Sequence, residues 1–174
     1  EGREYERQSS RAGRISLTDL PTLGKQSDKE QKIDFVVLGD SHGMAMSKTI
    51  HAIADELQLV GKSAVASDTT VFTNASHHKD FGNELTIKRE VFQLIDAMRP
   101  KNLVLIAFWG NLHNLTLRSP TSSADTSTIV EEGLEDWVHF CSKRGIKLWV
   151  VKQVPMTKEP AAARSILRYS IGRT

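Results

Sequence analysis

The sequence predicts an α/β fold in which a mainly parallel sheet lies between two layers of helices. Short apolar runs that are typical of buried strands alternate along the chain with segments in which apolar residues recur every three or four positions. The strand-like runs are continuous in their hydrophobicity, as expected for strands that are covered on both faces. A chain that alternates strands and helices in this way builds a parallel sheet with helices on both sides.

The composition fits one globular domain and excludes several function classes. The 174 residues are 39% hydrophobic and 25% charged, which suits a sizeable core. The formal net charge of +2 is small and the basic residues are scattered, so nucleic acid is not an expected partner. No apolar run approaches the about 20 residues of a membrane-spanning helix, and the start lacks the order of a signal peptide. The single cysteine, Cys141, excludes an internal disulfide and is expected in the core.

The first 32 residues differ in character from the rest of the chain. They are polar, rich in Arg, Glu, Ser and Gly, and show little periodicity. We predict a linker or arm over residues 1–32 and an α/β domain over residues 33–174. No secondary structure is predicted in the arm, including its short Leu-Pro-Thr-Leu-Gly segment at residues 20–24.

The first strand–helix unit is the clearest part of the pattern. A strand is predicted over residues 34–39 and a helix over residues 43–58, with Gly61 ending the unit and a short strand following over residues 63–67. His51 lies beside the apolar stripe of this helix and is predicted to be structural. The stripe expected to face the core consists of Met46, Ile50, Ile53, Ala54 and Leu57.

Residues 68–83 are predicted to form a loop that carries His77 and His78. Adjacent histidines seldom converge on one metal ion, and no Cys or carboxylate stands at ligand spacing beside them. We therefore predict no metal site and expect a solvated or substrate-side loop.

A second amphipathic helix is predicted to end at Pro100. An apolar strand follows over residues 102–108 and ends at Trp-Gly-Asn, and residues 114–127 are expected to form a Ser/Thr-rich loop. The apolar face of the helix consists of Ile87, Val91, Leu94, Ile95 and Met98.

A third helix is predicted to begin at a capping box of Thr128 and Glu131 and to end at Gly145. The last clear strand is predicted over residues 146–154, before Pro155, and a further helix around residues 161–169. The apolar face of the third helix consists of Val130, Leu134, Trp137, Val138 and Cys141.

Ser41 directly follows the first predicted strand and precedes the first predicted helix. The free N–H groups and the positive dipole end of a helix favour an anion there, and acyl transfer develops an oxyanion beside the attacked carbonyl. The position therefore suits a nucleophilic serine. Asp and Ser at such a junction are also common as helix N-caps, so the motif alone leaves a structural interpretation open.

Three polar segments are expected to converge at one edge of the sheet. Ser41, Asn111 and the loop after Pro155 each follow a predicted strand. The carboxyl ends of parallel strands meet at one edge, where such folds bind their ligands. This convergence favours the functional interpretation.

The stretch Val-Leu-Gly-Asp-Ser-His-Gly at residues 37–43, with Gly110-Asn111 after a later strand, resembles the SGNH/GDSL hydrolase superfamily. The stretch is most similar to SGNH domains fused to membrane acyltransferase-3 proteins, which O-acetylate bacterial surface polysaccharides. The resemblance covers about residues 33–155. It implies a three-layer α/β/α sandwich with a mainly parallel, flavodoxin-like sheet.

The resemblance also implies roles for individual residues. Ser41 would be the nucleophile and would donate its own N–H to the oxyanion, and Asn111 would donate its side-chain amide to the same oxyanion. No chemical role is assigned to His42, which follows the nucleophile too closely to be presumed its base. The resemblance further implies that three residues support the turns, namely Gly39, Asp40 and Gly110. Asp40 would do so by hydrogen bonding.

Two features of the family pattern are missing. The family has a glycine N–H donor after its second strand, where this chain has Ser-Asp-Thr-Thr at residues 67–70. The family's base lies in an Asp-x-x-His after the last strand, and neither Asp nor His follows Pro155. Asp136 and His139 have this spacing, but they lie inside the third predicted helix, which is the wrong place for a base that must reach the strand ends.

Three explanations for the missing base stay open. An Asp-x-x-His lies beyond residue 174, or a loop histidine (His77, His78 or His113) replaces it, or the domain binds glycan without catalysis. His113 shares a loop with Asn111 and is the most reachable of these substitutes.

The predicted function is acyl transfer, of acetyl in particular, through Ser41 to a hydroxyl of a cell-surface polysaccharide. The alternatives are an SGNH-type carbohydrate esterase and a glycan-binding domain without a base. A nucleotide-binding role has little support because no Gly-rich phosphate loop with Lys is present. No cofactor is expected. The resemblance implies an attached membrane acyltransferase domain and a location outside the cytoplasmic membrane.

Overall fold

A five-stranded sheet with helices on both of its faces organises the described part of the chain. The computed structural model describes residues 20–25, 32–66, 70–72, 75–77, 81–109, 117–118 and 125–152. The strands are β1 (Thr22–Gly24), β2 (Phe35–Gly39), β3 (Val60–Val65), β4 (Ser76–His77), β5 (Asn102–Ile106), β6 (Leu117–Arg118) and β7 (Lys147–Val150). The helices are α1 (Ser41–Glu56), α2 (Phe81–Met98) and α3 (Thr126–Arg144).

The strand order in the main sheet is β1-β3-β2-β5-β7. Strand β1 is antiparallel to β3 and every other pair is parallel, while β4 and β6 pair separately. The predicted α/β fold with a mainly parallel sheet is therefore confirmed. The chain runs from β2 to β3 on one side and then to β5 on the other side of β2. The carboxyl ends of β2 and β5 thus flank the point where the strand order reverses, which is where α/β sheets bind ligands.

The larger hydrophobic core lies between the sheet and helices α2 and α3. Trp137 of α3 is 2% exposed, and its indole N–H donates to the carbonyl of Val71 at 2.8 Å. The expected core position of Cys141 is confirmed, and burial raises the pKa of its thiol to about 11. This thiol is therefore inert near neutral pH.

The smaller core lies under α1, and the predicted buried stripe of this helix is mostly wrong. Met46, Ile53 and Leu57 are 38%, 52% and 61% exposed, whereas the buried residues of α1 are Gly43, Ser47 and Ala54. A Cβ atom at Gly43 would lie 2.9 Å from a methyl carbon of Val65. The helix therefore lies close to the sheet, and only small side chains fit between them.

The bounds of the first unit also differ from the prediction. Helix α1 begins two residues earlier, at Ser41, and ends before a turn in which Gln58 has a φ of 56°. Gly61 lies inside β3 and does not end the unit. A Cβ atom there would lie 2.2 Å from the ring of Phe35, so this glycine makes room for an aromatic side chain on the neighbouring strand.

Strand β1 lies in a segment for which no element was predicted, and that prediction is wrong. Leu23 is buried, and the ammonium group of Lys62 donates to the hydroxyl of Thr22 at 3.0 Å. The N–H of Gly24 donates to Nδ1 of His51 at 3.0 Å, which gives His51 a structural contact. The sheet thus includes residues that the sequence analysis assigned to the arm.

Two predicted loops contain regular structure. The segment 68–83 contains β4, in which His77 pairs with Leu117, and the start of α2. The segment 114–127 contains β6 and the start of α3. Helix α2 itself is confirmed up to Met98, and Val91 and Ile95 are buried as predicted.

The predicted capping box of α3 is wrong, and its predicted C-cap is confirmed. Asp125 is the N-cap, and its carboxylate accepts from the N–H of Thr128 at 2.9 Å. Gly145 ends the helix with a φ of 66°, a left-handed conformation that favours glycine. Val138, predicted on the core face, is 57% exposed.

Strands β5 and β7 end earlier than predicted, at Ile106 and Val150. The end of the predicted last strand, residues 153–154, and the helix predicted around residues 161–169 lie outside the described residues. In the part of the chain that the structure describes, no helix is long and apolar enough to cross a membrane.

Replacing Ser63 by alanine is expected to stabilise the fold. Ser63 is 2% exposed, and its hydroxyl has no hydrogen-bond partner among the described residues. Since an unsatisfied buried hydroxyl costs about 1–3 kcal/mol, Ser63→Ala should raise the free energy of unfolding by about 1 kcal/mol, measured by urea denaturation. Thr70→Val is the control, because the buried hydroxyl of Thr70 contacts the carbonyl of Ala75 at 3.1 Å. Thr70→Val should lower the free energy of unfolding. A rise in the free energy of unfolding in both variants would contradict the prediction.

Candidate active site

Ser41 is the first residue of α1 and lies at the carboxyl end of β2. Its side chain is exposed, and within the described residues neither its hydroxyl nor its N–H has a hydrogen-bond partner. The N–H of His42 donates to the carboxylate of Asp40 at 2.8 Å, and the N–H of Met44 donates to the carbonyl of Asp40 at 3.0 Å. Within the described part of the chain, the start of α1 thus presents a hydroxyl and an N–H without partners at the positive end of the helix dipole.

Asp40 joins the start of α1 to the neighbouring strand. One oxygen of its carboxylate accepts from the N–H of His42, and the other accepts from the N–H of Phe108, just after β5, at 2.7 Å. The N–H of Asp40 donates to the carbonyl of Ile106 at 3.3 Å. The side chain of Asp40 is only 13% exposed, and both of its oxygens are occupied by backbone donors.

Gly39 allows these segments to approach one another. It pairs with Ile106 in the parallel ladder, and a Cβ atom at Gly39 would lie 2.4 Å from the carbonyl oxygen of Ile106 and 3.3 Å from the Cα of Gly43. Any side chain at this position would push β5 or α1 away. The contact between the strand ends therefore requires glycine.

The segment after β5 contains site residues that the sequence analysis did not single out. The ring of Phe108 stacks against the imidazole of His42, with centroids 4.6 Å apart and an angle of 17° between the planes. The indole N–H of Trp109 donates to the carbonyl of Val151 at 2.7 Å, which fixes this segment to the end of β7. The only sequence signal was a pair of aromatic residues directly after an apolar strand.

The three other predicted site residues, Gly110, Asn111 and His113, lie outside the described residues. Their roles stay predictions. The last described residue of this segment, Trp109, is two positions before Asn111 and is fixed at the carboxyl edge of the sheet.

The remaining candidates lie elsewhere. The pair of Asp136 and His139 lies within α3, and both residues are exposed. His77 belongs to β4, and His78 lies outside the described residues. Among the described residues, no group of three or more His, Cys, Asp or Glu side chains has the arrangement to hold a metal ion.

Replacing Asp40 by asparagine is expected to destabilise the domain although asparagine is a good N-cap. Asparagine has one oxygen, so its amide group would face either the N–H of His42 or that of Phe108, donor against donor. We expect a loss of about 1–3 kcal/mol in the free energy of unfolding, and faster hydrogen exchange at the Phe108 amide.

The control is Asp125→Asn at the cap of α3, where the carboxylate accepts from the N–H of Thr128 at 2.9 Å. Asp125→Asn should lower the free energy of unfolding clearly less than Asp40→Asn does. Equal losses in the two variants would show that Asp40 acts only as a helix cap.

The comparisons with known proteins agree with this geometry. The family model described as "SGNH domain (fused to AT3 domains)" matches residues 6–173, almost the whole chain. The match begins within the segment assigned to the arm. No curated protein matches the chain. Domains of this family have a hydrolase or acyl-transfer type of activity and are attached to membrane AT3 proteins. The chain therefore belongs to the family of SGNH domains that are fused to AT3 domains.

Proposed function

We propose that this domain transfers an acetyl group, or a related acyl group, to a hydroxyl of a cell-surface polysaccharide through a covalent intermediate on Ser41. The observation that carries the proposal is the placement of Ser41. At the start of α1, beside the carboxyl ends of β2 and β5, neither its hydroxyl nor its N–H has a hydrogen-bond partner among the residues that the structure describes. Family membership supports acyl-transfer or hydrolytic chemistry in general.

The first half-reaction acylates Ser41. Its oxygen attacks the acyl carbonyl, a bond from that oxygen to the acyl carbon forms, and the bond to the donor's leaving group breaks. The proton of the hydroxyl passes to a base, which then gives it to the departing leaving group and is free again for the second half-reaction. The negative oxygen that develops on the carbonyl accepts hydrogen bonds from the N–H of Ser41 and from the side-chain amide of Asn111.

The second half-reaction releases the acyl group. A sugar hydroxyl attacks the acyl-enzyme, its proton goes to the base, and the oxygen of Ser41 leaves and regains a proton. If water replaces the sugar, the same intermediate makes the domain an esterase. The two activities differ only in the acceptor, and the attachment of the family to AT3 membrane proteins favours the transferase.

We assign the base of this mechanism to none of the described residues, since His42 directly follows the nucleophile and His77 belongs to β4. Nδ1 of His51 accepts from the N–H of Gly24, and His139 lies on α3. A histidine after the last strand would agree best with the family pattern, and His113 is the proposed substitute within these 174 residues. A non-catalytic glycan-binding domain is the second candidate function, and the lack of an assigned base within the described part of the chain favours it.

The proposed setting is the outer side of the cytoplasmic membrane, with the domain attached to a membrane acyltransferase. The acyl group would come from the membrane part, and Ser41 would pass it to the polysaccharide. The domain would need no cofactor for this chemistry, because the serine itself carries the acyl group between donor and acceptor.

Ser41→Ala in the full-length protein should abolish polysaccharide O-acetylation, because alanine has no oxygen to carry the acyl group. The loss should be at least about 10³-fold in turnover. Ser142→Ala is the matched control, since Ser142 is an exposed serine on α3. Unchanged acetylation in Ser41→Ala would refute the proposal, and glycan binding without any Ser41-dependent turnover would favour the binding domain.

Asn111→Ala should lower turnover by about 10²–10³-fold, the usual cost of one oxyanion donor. A transition-state donor should affect the turnover number and leave the Michaelis constant for the acyl donor nearly unchanged. Asn114→Ala, three residues further along, is the control. A loss of similar size in Asn114→Ala would indicate a general effect on this segment and would contradict the role of Asn111.

A further inference from the structure

A pair of aromatic rings lies directly beside Ser41, and the proposed chemistry does not use it. The imidazole of His42 stacks almost parallel to the ring of Phe108, with centroids 4.6 Å apart. His42 is the residue after Ser41 on α1, and Phe108 lies in the segment between β5 and Asn111. The stack therefore joins the two segments that carry the proposed nucleophile and the proposed oxyanion donor.

Both rings are mounted on backbone that Asp40 fixes. The two oxygens of this carboxylate accept from the N–H groups of His42 and Phe108, at 2.8 and 2.7 Å. Nδ1 of His42 lies 3.5 Å from a carboxylate oxygen of Asp40, which further restricts the imidazole. A ring held in this way loses little conformational entropy when a ligand packs against it.

The stack leaves part of the His42 side chain exposed, one residue after Ser41. Phe108 covers one face of the imidazole, yet 45% of the His42 side chain remains exposed. Since Phe108 occupies one face, a ligand that packs against the imidazole would do so on its other face. Exposed aromatic surface next to a reactive group is typical of a binding site that orients its ligand.

We propose that His42, supported by Phe108, is a specificity-determining residue that packs against the pyranose ring of the acceptor sugar and orients its hydroxyl toward Ser41. The inference rests on the proposed function, since it assumes a carbohydrate acceptor. A pyranose has a face of C–H groups with partial positive charge, which complements the negative face of an aromatic ring. An open-chain polyol offers the same hydroxyl groups without that face.

The test compares two acceptors in the full-length protein. Acetyl transfer from 4-nitrophenyl acetate is measured to methyl α-D-glucopyranoside and to glycerol, and the ratio of the two kcat/KM values is the readout. We expect the wild type to prefer the pyranoside. His42→Ala should lower that preference about five- to tenfold, mainly through the Michaelis constant of the pyranoside. His42→Phe keeps a ring of similar shape and should restore the preference to within about twofold.

A control and an equilibrium measurement separate this role from folding and from catalysis. His139→Ala removes an exposed imidazole on α3 and should leave the ratio as in the wild type. Saturation transfer by NMR from the protein to the C–H protons of methyl α-D-glucopyranoside, measured in Ser41→Ala, should weaken when His42→Ala is added and return with His42→Phe.

Several results would overturn the proposal. These are a wild type that neither prefers nor binds the pyranoside, an unchanged ratio in His42→Ala, and a ratio in His42→Phe as low as in His42→Ala. The last result would show that a ring nitrogen of His42 is required instead of its face. Transfer that persists in Ser41→Ala would refute the proposed function itself, whereas loss of transfer in Ser41→Ala with an unchanged ratio in His42→Ala would refute only the role of His42.

Discussion

The carboxylate of Asp40 is the interaction on which the rest of the site depends. A parallel sheet brings the ends of β2 and β5 side by side, but it does not fix the segments that leave them. Asp40 does so with its two oxygens, one on the first turn of α1 and one on the segment after β5. The absence of a side chain at Gly39 allows this approach. As a result, the start of α1 and the segment leading to Asn111 form one unit.

The hydrogen bonds to Asp40 also reduce the repulsion between its carboxylate and a negative charge that forms nearby. A carboxylate next to a developing oxyanion would oppose it, yet an N-terminal helix dipole and two backbone N–H groups already satisfy the charge of Asp40. Within the described residues the N–H of Ser41 has no hydrogen-bond partner, as the proposed oxyanion contact requires. The hydrogen bond from the indole N–H of Trp109 to the carbonyl of Val151 also links the end of β7 to the segment after β5. A preorganised edge of this kind suits acyl transfer, because the donors need not reorganise as charge develops.

Local patterns predicted the parallel fold, the strands from Phe35 and Asn102 and the position of Ser41, because strand hydrophobicity and turn residues are properties of neighbouring positions. Local patterns gave wrong predictions where the structure depends on how closely two elements pack or on contacts between residues that are far apart in the sequence. The buried face of α1 was predicted correctly at Ala54 but misjudged elsewhere, because close packing selects the small Gly43 and Ser47 over the larger Ile53. The bond from Phe108 to Asp40 joins residues 68 positions apart, which no local pattern can indicate.

The most direct test of the central claim is to detect the acyl group on Ser41. The full-length protein would be incubated with an acetyl donor, quenched in acid and digested with trypsin, and the peptide containing Ser41 would be fragmented in a mass spectrometer. The same peptide contains Ser47, a buried residue whose hydroxyl donates to the carbonyl of Gly43, and it serves as an internal control. We predict one acetyl group on Ser41 that a carbohydrate acceptor removes. A peptide that never carries acetyl, or carries it on Ser47, while the protein turns over would contradict the account.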